Sequence, residues 1–271
     1  MRRNPRPRGR GQETSAAKAE RRTLTTLVLF DIDGTLVLTG GAGGRAMTRA
    51  FQELFAIDDA FHGISMPGRT DAAILFDAAA AHGIPRGAPD LARFPDVYLR
   101  YLALELVKPG PRKGVMPGVR ELLETLSRQS DIVLSLLTGN YETAARLKLE
   151  YFDLWRYFSG GAFGDATTER NRLVAKAVAV VASCGGPCVS SSDIVVVGDT
   201  PLDVACAAAS GAHCIAVATG SHTAGDLRAA GADVVFDDLS DTSRVLAAFT
   251  SLKSQVSSLK NGSRGEFGEE S

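Results

Sequence analysis

Only four cysteines, a single tryptophan and a formal net charge of −1 occur in the 271 residues of this chain. So few thiols exclude a disulfide-built scaffold. Cys184 and Cys188 flank Gly-Gly-Pro in a C-x3-C spacing, but no second ligand pair accompanies them. They read as reduced thiols in or beside a loop. Cys206 and Cys214 sit in apolar stretches and read as small core residues. All four fit a reducing cytoplasm. The near-zero charge excludes a polyanion binder acting through its whole surface. No apolar run approaches the roughly 20 residues that span a bilayer. Met1-Arg2-Arg3 leads into no apolar segment of a secretory signal. A Gly-Lys-Ser/Thr sequence is also missing, which excludes a P-loop.

What is present is enough for a real core, with hydrophobic residues at 45%. Residues 1–22 are rich in Arg, Pro and Gly without apolar periodicity, and read as a disordered basic tail. A solvated tail accounts for the Arg run better than nucleic-acid binding. Residues 251–271 read as a second tail. Between them, strands and helices alternate, which predicts an α/β fold with a parallel sheet. The strands expected are Leu24–Ile32, Ile132–Leu137, Ile194–Val197, Cys214–Ala218 and Val234–Phe236. Helices fill the gaps at Gly118–Ser127, Glu142–Tyr151, Arg172–Ala182, Leu202–Ser210 and Ala224–Ala230. One stretch breaks the alternation. From Arg45 to about Lys113 the pattern is helical, with helices over Thr70–His82 and Asp96–Val107. Glycine and proline bound it at Gly40–Gly44 and Pro109–Gly114. It reads as a small helical domain, 40–114, inserted on two hinges into a core of 23–39 and 115–250.

The most informative segment is the apolar run that ends in Asp31-Ile32-Asp33-Gly34-Thr35-Leu36. Ligands bind at the carboxyl ends of strands in open α/β sheets. Two acids one residue apart can face one ligand there. Three more sites fall at strand ends or helix starts: Thr138-Gly139-Asn140, Arg170, and Asp199 with Asp203. Packed at one edge, Asp31, Asp33, Asp199 and Asp203 would repel one another. A divalent cation removes that problem, and oxygen ligands suit Mg²⁺. Thr138 and nearby backbone N–H groups offer donors to an anion, and Arg170 a fixed cation. Metal, cation and anion donors around a carboxylate describe phosphoryl transfer. A carboxylate can itself be the nucleophile, and a second acid then serves the leaving oxygen.

The order of these motifs resembles the haloacid dehalogenase superfamily, in its phosphatase branch with a helical cap, phosphoglycolate phosphatases among its members. Asp31-Ile32-Asp33-Gly34-Thr35-Leu36 matches the first motif and Thr138 the second. Arg170 matches the third by position, where Lys is commoner. Gly198-Asp199-Thr200-Pro201-Leu202-Asp203 matches the fourth. The similarity spans about Leu24 to Leu246. It implies a Rossmann-like parallel sheet core with the cap inserted after the first strand. It also implies Asp31 as nucleophile and Mg²⁺ ligand, and Asp33 as general acid/base with its carbonyl on the metal. Thr138, Gly139, Asn140 and Arg170 would hold the phosphoryl group. Asp199 would ligate the metal, with Asp203 behind it or acting through water. The cap would read the leaving group of a small phosphorylated metabolite. Arg69, in Gly68-Arg69-Thr70-Asp71, is a candidate specificity residue, and Thr70 or Asp71 a cap for the next helix.

Rival readings differ at single residues. Gly41-Ala42-Gly43-Gly44-Arg45-Ala46 fits a dinucleotide loop but starts too far past its strand. A dehalogenase or phosphonatase does not need the acid Asp33. A β-phosphoglucomutase-like phosphomutase would use the same core residues and stays open at this point. Oligomeric state is not encoded in these patterns.

Overall fold

The computed structural model describes residues 25–165, 169–183 and 189–262, with side chains through Leu252. The basic N-terminal tail and the Cys184/Cys188 pair lie outside the described residues. β1 (Thr26–Phe30) is buried along its whole length, as a strand with neighbours on both sides and helices on both faces requires. β2 (Val37–Leu38) leads into three helices, α1 (Ala42–Phe55), α2 (Asp71–Ala81) and α3 (Pro89–Leu106). β3 (Gly114–Val115) returns the chain and pairs antiparallel with β2. The helical unit therefore leaves and rejoins the core through two adjacent strands. Then follow α4 (Val119–Ser127), β4 (Ile132–Leu137), α5 (Glu142–Tyr151), β5 (Gly161–Ala162) and α6 (Leu173–Ser183). The chain continues as β6 (Ile194–Gly198), α7 (Pro201–Ser210), β7 (His213–Val217), α8 (Ala224–Ala229), β8 (Val234–Phe236) and α9 (Thr242–Gly262).

Six strands form one parallel sheet in the order β5-β4-β1-β6-β7-β8. Alternation along β1 sends Val28 and Phe30 to one face, Leu27 and Leu29 to the other. Leu122, Leu123 and Leu126 of α4 cover the first, with Val245, Phe249 and Leu252 of α9. Val174, Ala177, Val204, Ala207 and Leu227 cover the second. Cys206 and Cys214 are buried there as small core residues. A third apolar cluster belongs to α1–α3. Phe51, Phe61, Phe94 and Tyr98 meet in it, joined by Tyr141, just before α5, and Ala144 of α5, so it also seats the cap on the core.

The structure departs from the sequence reading in three places. β2, β3 and β5 are two residues each, too short to show a period. α3 starts at Pro89, ahead of the start expected at Asp96, and passes through Pro95. Pro95 cannot donate to the carbonyl one turn back. Buried Leu91, Phe94, Val97 and Tyr98 hold the helix across that gap. The sequence pattern starts the C-terminal tail at 251, yet α9 runs on to Gly262, anchored by Val245, Phe249 and Leu252.

Candidate active site

β1 lies between β4 and β6, and the chain leaves it toward both sides of the sheet. A crevice opens at the carboxyl end of the strands where connections diverge in this way. Asp31 begins there, its N–H bonded to Val197 O at 2.9 Å. Gly34 turns the chain with φ +92°. Thr35 then donates its hydroxyl to Asp199 Oδ1 at 3.1 Å, which ties the first loop to the one after β6. Asp203 starts α7 in a capping box. Its Oδ2 accepts from Thr200 N at 3.0 Å and Thr200 Oγ1 at 2.7 Å.

Arg170 is the hub. Its Nη2 donates to Asp31 Oδ1 at 3.0 Å and also to Asp203 Oδ1. Its Nη1 reaches the cap, at Gly68 O, 2.9 Å away. Nε is buried with no partner among the described residues. Burial alone would weaken the guanidinium's hold on its proton. Asp203 and Asp31 more than offset that, so Arg170 stays charged. Across the crevice, Asn140 Nδ2 donates to Thr138 Oγ1 at 2.7 Å and to Asp33 Oδ2 at 2.8 Å. Because the Thr138 hydroxyl accepts from Asn140, its own proton is left to donate. Lys148 Nζ sits 2.6 Å from both Asp33 Oδ2 and Asn140 Oδ1.

These groups line one cavity of about 490 Å³. Asp31, Asp33, Thr138, Gly139, Asn140, Arg170 and Asp199 are on its wall, and Asp203 stands behind Arg170. The cap contributes Met47, Met66, Arg69, Ile74 and Tyr98. Arg69 is on the wall, but its guanidinium also holds Asp77 Oδ2 at 2.6 Å and Ser65 O at 3.2 Å. Thr70 caps α2 by accepting from Ala73 N at 3.2 Å. Cap and core meet closely. Asp71 N donates to Gly139 O at 2.8 Å, and Tyr141 N to Asp71 Oδ2 at 2.9 Å. A side chain on Gly139 would place its Cβ 2.1 Å from Arg69 O.

Residues 28–208 match the model of a known family, described as haloacid dehalogenase-like hydrolase. The chain belongs to that family. A phosphoglycolate phosphatase from Rhodospirillum rubrum is 32% identical over 215 residues, 78% of this chain and 86% of that one. One from Pseudomonas putida is 27% identical over 224 residues, 80% and 78% of the two chains. The crystal structure of CbbY from Rhodobacter sphaeroides in complex with phosphate shares the fold, with a TM-score of 0.62 at 20% identity. That match covers 80% of this chain and 96% of CbbY. This haloacid dehalogenase-like hydrolase is thus a phosphatase, a phosphoric monoester hydrolase. Among its described residues, no helix is long and apolar enough to cross a membrane.

The charges of the hydrolase's crevice do not balance without a further cation. Among the described residues, Asp31, Asp33, Asp199 and Asp203 form ion pairs with only two cations, Lys148 and Arg170. Burial raises the Asp31 carboxyl to about 6, opposed by Arg170 and reinforced by Asp203 and Asp33. Burial also drives Asp199 well above the usual carboxylate range, with Asp31 and Asp203 adding to it. Carboxylate oxygens of Asp31, Asp199 and Asp203 lie within 4.8 Å of one another. Asp199 occupies a slot walled by glycine: a Cβ on Gly220 would be 1.7 Å from its Oδ2, and one on Gly34 2.4 Å. An all-oxygen donor set with two surplus negative charges fits a hard divalent cation such as Mg²⁺. Both Asp203 oxygens are already engaged, by Arg170 and by the helix cap. Asp31 and Asp199 are therefore the better-placed ligands.

Two residues of the site escape the motif reading. Lys148 lies on the buried stripe of α5, with Ala144, Ala145 and Leu149. A lysine on an apolar stripe is a signal the sequence carries. Asp71 is buried only because the cap descends on the core, and no local pattern shows that.

Proposed function

We propose that this phosphatase hydrolyses a small phosphorylated metabolite through a phosphoryl group carried on Asp31. The observation that carries the reading is Asp31 itself, a carboxylate at the end of the central strand. It is held by Arg170 at 3.0 Å and sits on the wall of a cavity shared with Asp33 and Thr138. Arg170 fixes the carboxylate by one oxygen and offsets charge on the phosphoryl group. The Thr138 hydroxyl, its lone pairs turned to Asn140, donates to a phosphoryl oxygen. Asp31 attacks phosphorus, a P–O bond forms to its carboxylate, and the bond to the leaving oxygen breaks. Asp33 passes a proton to that oxygen. Asp33 then takes a proton from water, which attacks phosphorus and releases Asp31 and inorganic phosphate. Mg²⁺, held by Asp31, Asp199 and the Asp33 carbonyl, would offset both the phosphoryl charge and the repulsion among the acids.

The relatives named phosphoglycolate phosphatase support a short phosphorylated acid as substrate. Arg69 is a cap cation on the cavity wall and the residue we assign to the leaving group. Asp31→Asn tests the nucleophile. Turnover of phosphoglycolate with Mg²⁺ should fall at least about a thousandfold. Acid-quenched wild-type enzyme should carry one phosphoryl mass that the variant lacks. Wild-type turnover by the variant would overturn the assignment.

A further inference from the structure

We propose that Lys148 is a positioning residue that aims the proton-carrying oxygen of Asp33 at the leaving group. The inference rests on the reading of Asp33 as general acid given above. Lys148 is 5% exposed at its side chain and sits among Ala144, Ala145 and Leu149 on the inner face of α5. An ammonium buried there is costly unless paired. Leucine or methionine would fill the same slot without that cost. The charge is directed at one atom: Lys148 Nζ is 2.6 Å from Asp33 Oδ2. Asn140 Nδ2 binds that same oxygen at 2.8 Å, and Lys148 in turn holds the Asn140 amide oxygen at 2.6 Å. The three groups form a closed triangle.

The triangle settles what a free aspartate leaves open. Rotation about the last bond of an aspartate side chain is soft, so its two oxygens exchange places easily. Two donors on Oδ2 remove that freedom. Oδ1 has no hydrogen-bond partner among the described residues, and the Asp33 side chain is 39% exposed on the cavity wall. Oδ1 is therefore the oxygen presented to substrate. Lys148 does not touch the reacting atoms. It acts through Asp33.

A positioned acid matters in proportion to how badly the leaving oxygen needs a proton. An alkoxide needs one; a dinitrophenolate does not. The experiment compares kcat/KM for phosphoglycolate and for dinitrophenyl phosphate, with Mg²⁺ present, in wild type, Lys148→Met and Lys148→Gln. The ratio of alkyl to aryl kcat/KM should drop about a hundredfold in both variants. Inhibition by inorganic phosphate should stay near the wild-type value. An unchanged ratio overturns the proposal. So does loss of folding or of phosphate inhibition in both variants, which makes Lys148 a structural support. Asp33→Asn separates the two levels. If its ratio also drops, Asp33 is the acid and the Lys148 variants judge Lys148 alone. If Asp33→Asn loses both substrates equally, the reading of Asp33 fails instead.

Discussion

Replacing Asp71 by asparagine should make folding stability less dependent on pH, and the structure sets the size of the effect. Asp71 opens α2 and is 7% exposed between cap and core. Burial raises its carboxyl from 3.8 to about 7. Lys148 and the Tyr141 hydrogen bond pull it down, and Asp33 and Asp165 push it up. The folded protein therefore holds this proton more tightly than the unfolded chain does. Its contribution to stability is fully present below the unfolded value and is lost as pH rises through about 7. At about 1.4 kcal/mol per pKa unit the whole effect is roughly 4 kcal/mol, with roughly 3 kcal/mol falling between about pH 5 and pH 8. Asparagine keeps the oxygen that accepts from Tyr141 N and never ionises. Urea unfolding should show the variant's stability relative to wild type rising by roughly 3 kcal/mol between about pH 5 and about pH 8. Asp31 and Asp199 titrate in both proteins, so the difference between them isolates Asp71. A difference that is the same at both pH values would falsify the account.

Asp199→Asn should raise the Mg²⁺ concentration for half-maximal activity by at least about tenfold. It should also raise metal-free thermal stability, because it removes a buried charge repelled by Asp31 and Asp203. An unchanged Mg²⁺ titration would remove Asp199 from the metal site. Gly139→Ala should cost about 1–3 kcal/mol of stability and at least about tenfold in kcat/KM, because its Cβ meets the backbone of Arg69 and cannot be relieved by a rotamer change. Wild-type values in urea unfolding and turnover would show that cap and core do not meet there in solution.

The legible parts of this molecule are those whose signal is local. The run from Leu27 to Phe30 is apolar without alternation, and only a strand covered on both faces reads so. Asp31 and Asp33 follow it, which places both acids at the sheet edge. The helix expected over Leu202–Ser210 forms over Pro201–Ser210, with Thr200 and Asp203 as its capping box. Arg170 carries no such signal. It precedes a helix among other polar residues, and only the order of motifs singles it out. Its partners Asp31 and Asp203 are far away in sequence. The first turns of α3 escape because the burial of Phe94, Val97 and Tyr98 carries the helix across Pro95, and that burial exists only in the folded cap. The stalk made by β2 and β3 escapes because two residues cannot display a period. Asp71 escapes for a different reason: its environment exists only once two domains touch.

The seam between cap and core is made differently from the chemistry it covers. Among the hydrogen bonds that cross it are three beside the catalytic crevice: Arg170 Nη1 to Gly68 O, Asp71 N to Gly139 O, and Tyr141 N to Asp71 Oδ2. Each uses a main-chain atom on at least one side, at a point where glycine lets the backbones approach. Bonds of this kind contribute about 0.5–1.5 kcal/mol each, somewhat more for the charged donor Arg170. A seam worth a few kcal/mol holds the cap down against water, yet can open within a catalytic cycle to release product. Arg170 belongs to both sides of that balance. The guanidinium that grips Asp31 also grips the cap, so the cap's contact and the placement of the Asp31 carboxylate share one side chain. The side chains that line the cap's part of the cavity, Met47, Met66, Arg69 and Ile74, do not carry the seam. They can therefore set the shape offered to a leaving group without disturbing how the lid closes or how Asp31 is held.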